Sequence, residues 1–128
     1  MIYYISIEDV VWIHDRLINE YWWLAWVKNQ WQIESVLENI QNDIYYPDFL
    51  DKMNHLFFCL IMFHCFNDGN KRTAITSLAY FLELNDVYIP DILPKLEDIV
   101  IWVAKWIISK DETYKILKSM LISFEYID

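Results

Sequence analysis

The sequence predicts an all-α fold, a compact bundle of about six helices forming one domain over residues 1–128. Three observations carry this. Apolar residues return at three- and four-residue spacing in one segment after another. One glycine and three prolines leave little flexible linker. A chain of 128 residues that is 56% hydrophobic and 18% aromatic can fill one large apolar interior.

The first helix runs from Ile7 to about Tyr21. Ser6 is placed to cap it, Glu8 and Asp9 suit its first turn, and Val10, Ile13, His14, Leu17 and Tyr21 share a face. A lone histidine on an apolar face is a hydrogen-bonded core residue. Trp22, Trp23, Trp26 and Trp31 then follow closely. They are read as core packing, with an exposed aromatic patch as the alternative. Gln30 to Gln41 forms a second helix around Trp31, Ile33, Val36, Leu37 and Ile40. Ile44-Tyr45-Tyr46, bounded by Asp43 and Pro47, is β-prone and fits a small flap or a plain connecting loop. Asp48 caps a third helix from Phe49 to about Cys65, apolar on most faces toward its end and therefore central. A fourth covers Thr73 to about Asn85. Pro90 and Pro94 mark a connection, Glu97 to Ile108 a fifth helix, and Ser109-Lys110-Asp111-Glu112 a capping box that opens a sixth through Met120 or beyond.

Between the third and fourth helices lies His64-Cys65-Phe66-Asn67-Asp68-Gly69-Asn70-Lys71-Arg72, which holds the only glycine. A glycine at the mouth of a helix suits an anion, because free backbone N–H groups and the positive end of the helix dipole converge there. The amides of Gly69 and Asn70 can cradle a phosphate, and Lys71 and Arg72 can neutralise its oxygens. Asp68 offers a magnesium ligand and His64 a base for a hydroxyl proton. Phe66 plugs into the core and anchors the loop.

The string HCFNDGNKR resembles the signature of the Fic/Doc family, His-x-Phe-x-(Asp/Glu)-(Gly/Ala)-Asn-(Lys/Gly)-Arg, at every defined position. Its Asn-Lys-Arg ending is closest to the Doc (death-on-curing) branch. The resemblance spans about Ile5 to Asn85. It implies the same roles for His64, Asp68, Gly69, Asn70, Lys71 and Arg72, with ATP as substrate and Mg²⁺ bound. It also implies that Ile44, Tyr45 and Tyr46 form a flap that docks a target peptide by strand addition. Fic enzymes that transfer AMP carry a second arginine three places after the first; here that place holds Ile75, as in Doc-like proteins. The resemblance thus implies a toxin that moves the γ-phosphoryl group of ATP to a Ser, Thr or Tyr hydroxyl of a target protein. Elongation factor Tu is the candidate target. AMP transfer is the first alternative and a catalytically inactive protein-binding module the second. Nothing in the chain supplies a matching inhibitory helix, so an antitoxin in trans is expected. Related Doc-like sequences carry glycines where this chain has its tryptophan run.

Charge and composition narrow the field. A net charge of −9 argues against non-specific nucleic-acid binding and makes the Lys71-Arg72 pair a local exception. The longest uninterrupted apolar run, Leu56 to Phe63, falls far short of the ~20 residues of a membrane span. The N-terminus lacks the features of a signal peptide, and a cytoplasmic location is expected. Cys59 and Cys65 fit no zinc spacing and read as buried apolar residues in a reducing compartment, with Cys65 as a nucleophile the minor alternative.

Overall fold

The computed structural model describes residues 1–21, 30–63 and 70–127, with backbone alone for 18–21. Its described residues form α1 (Ile7–Tyr21), α2 (Gln30–Asn39), α3 (Phe49–Met62), α4 (Asn70–Leu84), α5 (Ile92–Ala104) and α6 (Lys110–Ser123). The predicted all-α bundle is what is found, and no strand occurs among the described residues.

Local chemistry sets the helix starts. The Asp9 amide donates to Ser6 Oγ at 3.1 Å and the Ser6 amide to Asp9 Oδ2 at 3.0 Å, a reciprocal cap for α1. Asp48 Oδ1 accepts from the Asp51 amide at 2.8 Å and starts α3. Ser109 and Glu112 close the expected capping box of α6. α4 begins at Asn70, with Asn70, Lys71 and Arg72 inside its first turn. Several boundaries differ from expectation. α2, α3 and α5 end at Asn39, Met62 and Ala104 rather than Gln41, about Cys65 and Ile108. α5 begins at Ile92 rather than Glu97, with Pro94 in its first turn. Proline is tolerated there because the N–H it lacks has no partner inside the helix.

α3 is the central element. It packs on α2, α4, α5 and α6, and Leu50, Met53, Leu56, Phe57, Leu60 and Ile61 join the core. The facing residues include Val10 of α1, Leu78 and Phe81 of α4, Leu96 and Val100 of α5, and Leu117 of α6. His14 is buried as expected, with Nδ1 3.6 Å from Asp15 Oδ1. The tryptophan expectation fails at Trp31, which is 64% exposed. It lies two residues before buried Ile33 and so on the opposite face of α2. Trp22, Trp23 and Trp26 lie outside the described residues.

Three helices end alike. After α4 the Asp86 amide donates to Glu83 O and the Val87 amide to Leu82 O; after α5 Trp106 donates to Val103 O and Ile107 to Trp102 O; after α6 Glu125 donates to Ile122 O and Tyr126 to Leu121 O. These are Schellman closures, which need a left-handed residue where glycine is usual. The chain uses Asp86 (φ 58°), Trp106 (φ 62°) and Glu125 (φ 64°) instead.

Candidate functional site

The candidate site is bracketed by the C-terminal end of α3 and the N-terminal end of α4. α3 stops at Met62, where Phe63 donates to Cys59 O at 3.0 Å. The catalytic and loop candidates His64, Phe66, Asp68 and Gly69 lie outside the described residues, as does Cys65. Asn67 lies outside them too, and of the motif Asn70, Lys71 and Arg72 are described. Asn70 opens α4, whose first-turn amides have no acceptor within the helix and whose dipole presents its positive end. Lys71 is exposed beside it. Arg72 is 47% exposed, with Nη1 3.8 Å from Glu97 Oε1 of α5. That separation is long for a charge-assisted hydrogen bond, and an exposed pair of this kind contributes little. Ile75, in the place where an AMP-transferring relative has its second arginine, is buried in the core at 6% exposure.

The second site element is the turn between α2 and α3. Its β-prone sequence does not become a strand. The Ile44 and Tyr45 amides both donate to Asn42 Oδ1, at 2.9 and 3.2 Å, and the Tyr46 amide donates to Asn42 O at 2.9 Å. The asparagine side chain offers the backbone a local acceptor, and the turn closes on itself. Ile44 and Tyr45 stand 87% and 77% exposed at its tip.

Two buried polar groups on α3 hold this turn. Lys52 is fully buried, yet its Nζ donates to Ile40 O at 2.6 Å and to Asp43 Oδ1 at 2.8 Å. Burial alone would depress the ammonium pKa; Asp43 and Tyr4 outweigh it, and the net shift is upward. The His55 ring lies against the Tyr46 ring in a tilted contact, centroids 4.3 Å apart, and receives Lys110 Nζ on Nδ1 at 2.8 Å. Burial, and then the Lys110 charge, push the His55 imidazole down to about 4, so it stays neutral and accepts from the ammonium. Cys59, 3.5 Å from His55 Nδ1, is buried and pushed up to about 11, mainly by desolvation. It is a packed thiol, as its composition suggested. Burial, with Cys59 nearby, also raises the Tyr46 phenol.

Lys52, His55 and Lys110 were not legible as site residues. His55 and Cys59 show a four-residue spacing on one helix face. Nothing in the sequence says that Asp43 folds back onto Lys52, or that α6 brings Lys110 to His55.

Comparison with known proteins resolves the lineage. A family model described as Fic/DOC family matches residues 4–82. The chain belongs to the Fic/DOC family. It is also 30% identical over 125 residues to "Protein kinase doc" of Escherichia phage P1, across 95% of this chain and 98% of that protein. The Fic/DOC match takes in both site elements, the turn and the first turn of α4, and ends inside α4.

Away from these two elements the fold has an apolar groove. Two adjoining cavities, of about 560 and 480 Å³, share Ala79, Glu83 and Leu93 and lie among α1, α4, α5 and the 86–89 connection. Trp12, Tyr80, Val87 and Ile92 supply apolar walls, and Asp9, Glu83 and Asp86 supply acid. Among the described residues no cluster of three or more His, Cys, Asp or Glu side chains could hold a metal. None of the described helices is long and apolar enough to cross a membrane.

Proposed function

We propose that this chain is a Doc-like toxin that transfers the γ-phosphoryl group of ATP to a hydroxyl side chain of a target protein. Elongation factor Tu is the candidate target and arrest of translation the outcome. One observation carries the reading: the first turn of α4 presents Asn70, Lys71 and exposed Arg72, while Ile75 turns into the core. This leaves one cationic cluster for one phosphate group. It gives no second arginine for the far end of a triphosphate in the AMP-donor pose. The full-length similarity to a phage protein named a protein kinase supports the same choice.

The chemistry follows from the residue types. Backbone amides of Gly69 and Asn70 and the α4 dipole hold phosphate oxygens, and Lys71 and Arg72 offset the charge that spreads over them. His64 takes the proton as the acceptor hydroxyl attacks the γ-phosphorus. The bond to the β–γ bridging oxygen breaks, and ADP leaves. One carboxylate, Asp68, fits the way Mg²⁺ is bound in such sites, through a single acidic side chain and substrate phosphates. When bound, the ion would supply charge neutralisation at the substrate phosphates.

An antitoxin completes the proposal. The groove beside α1 and α5 is apolar with acidic residues at its edges, which suits an amphipathic segment with a basic flank.

The test is mass spectrometry of elongation factor Tu after incubation with ATP and Mg²⁺. A phosphoryl adduct with wild type and none with His64→Ala is expected. An AMP adduct would overturn the kinase reading in favour of nucleotidyl transfer. Equal modification by both proteins would remove His64 from the mechanism. No modification of any protein in a translating extract would leave a binding module.

A further inference from the structure

Arg72 meets a carboxylate that the fold does not need. Its Nη1 lies 3.8 Å from Glu97 Oε1, and the two side chains are 47% and 51% exposed. An ion pair so open to water contributes little to stability. α5 is already fixed on both sides of Glu97 by Leu96, Ile99 and Val100, which are buried in the core. That packing also fixes the backbone from which Glu97 projects, so the carboxylate is offered to the first turn of α4 from a rigid helix. Lys95, the cation within α5, is turned instead to Pro90 O at 3.1 Å and to the Phe124 ring at 4.7 Å. Glu97 lies beyond residues 4–82, the span of the Fic/DOC match.

We propose that Glu97 is a positioning residue for phosphoryl transfer, acting through Arg72. The inference rests on the ATP-dependent transfer proposed above. An arginine side chain has many rotamers, and it assists transfer only from the right place. A carboxylate that draws the guanidinium to the α5 side of the turn before substrate arrives lowers the cost of ordering it. At 3.8 Å the pair is a loose tether rather than a closed hydrogen bond, so the guanidinium can still tilt onto a phosphate oxygen. The same negative charge repels the triphosphate. Glu97 therefore helps the transition state, where Arg72 must be in place, and weakens ground-state binding of ATP.

Two measurements on the full chain test this. The first is steady-state phosphorylation of elongation factor Tu with ATP and Mg²⁺. Glu97→Ala should lower kcat by about tenfold while the urea midpoint stays where it is. Glu97→Gln keeps an acceptor oxygen at the same reach and loses the charge. It should restore most of kcat and lower KM for ATP by about twofold or more. In the Arg72→Ala background, Glu97→Ala should lower kcat no further, because its effect runs through the arginine. Full activity in Glu97→Ala, a further tenfold loss in the Arg72→Ala background, or a kcat loss matched by a fall in urea midpoint overturns the proposal. The second measurement needs no turnover. Nitrogen-15 relaxation of the Arg72 Nε–H group in the free protein should show an ordered side chain in wild type and a more mobile one in Glu97→Ala. Equal mobility in both overturns the tether. A wild type that modifies no protein overturns the transfer reading and the positioning role with it, and an ordered Arg72 would then show that the tether survives that failure.

Discussion

The two described halves of the candidate site are built in opposite ways. The turn at Asn42–Tyr46 is held by polar groups sunk into the core, Lys52 without exposure and His55 nearly so. The first turn of α4 presents an exposed Lys71 and a half-exposed Arg72, whose Nη1 lies 3.8 Å from Glu97 Oε1. The difference fixes what each half can lose. A buried charge depends on its partner, whereas an exposed ion pair contributes little to the fold.

The comparison can be broken from its exposed side first. Arg72→Ala should lower phosphoryl transfer by about 10²- to 10³-fold, the loss seen when one transition-state charge partner is removed. Stability should move by only about 0.5 kcal/mol, because the side chain is half in water. A large drop in urea midpoint alongside the activity loss would mean that Arg72 is structural. The buried side should answer the other way. Asp43→Ala removes the carboxylate from a fully buried ammonium and leaves it the Ile40 carbonyl and Tyr4. A loss of about 2–3 kcal/mol in denaturant unfolding is expected.

Titration sharpens the same contrast. His55 has a pKa of about 4 in the fold against about 6.5 when unfolded. Between those values the unfolded chain holds a proton that the folded chain does not. Stability is therefore full above about pH 6.5 and falls as pH drops toward 4, by at most about 3 kcal/mol. Urea unfolding at pH 7 and pH 5 should show the decline. His55→Gln, which still offers Lys110 an oxygen, should flatten it. A wild type equally stable at both pH values would mean that His55 is not held neutral.

These two halves also differ in how legible they were. Spacing and caps predicted the six helices, and α1, α3 and α6 start where Ser6, Asp48 and Ser109 said they would. The half at the start of α4 is contiguous in sequence, so Asn70, Lys71 and Arg72 could be read directly as first-turn residues. At the turn the sequence left flap and connecting loop open, because β-propensity in Ile44-Tyr45-Tyr46 competes with one asparagine side chain; the local hydrogen bonds won and the loop forms. Its supports come from α3 and α6, residues that only tertiary packing brings together. Pro94 misled for a similar reason, being read as a break when it sits in the one turn of α5 that does not need its N–H.

The smallest predicted effect concerns the helix ends. Trp106→Gly should raise stability by about 1 kcal/mol, since the left-handed conformation then carries no Cβ penalty. An unchanged or lower urea midpoint would show that the indole contributes more than its 80% exposure suggests. Asp86→Gly and Glu125→Gly should each add less, as acidic and polar residues tolerate that region better than an aromatic one. With a single glycine in 128 residues, this fold has an untapped route to thermal hardening. Three replacements outside the His64–Arg72 motif could yield a hardier variant for crystallisation.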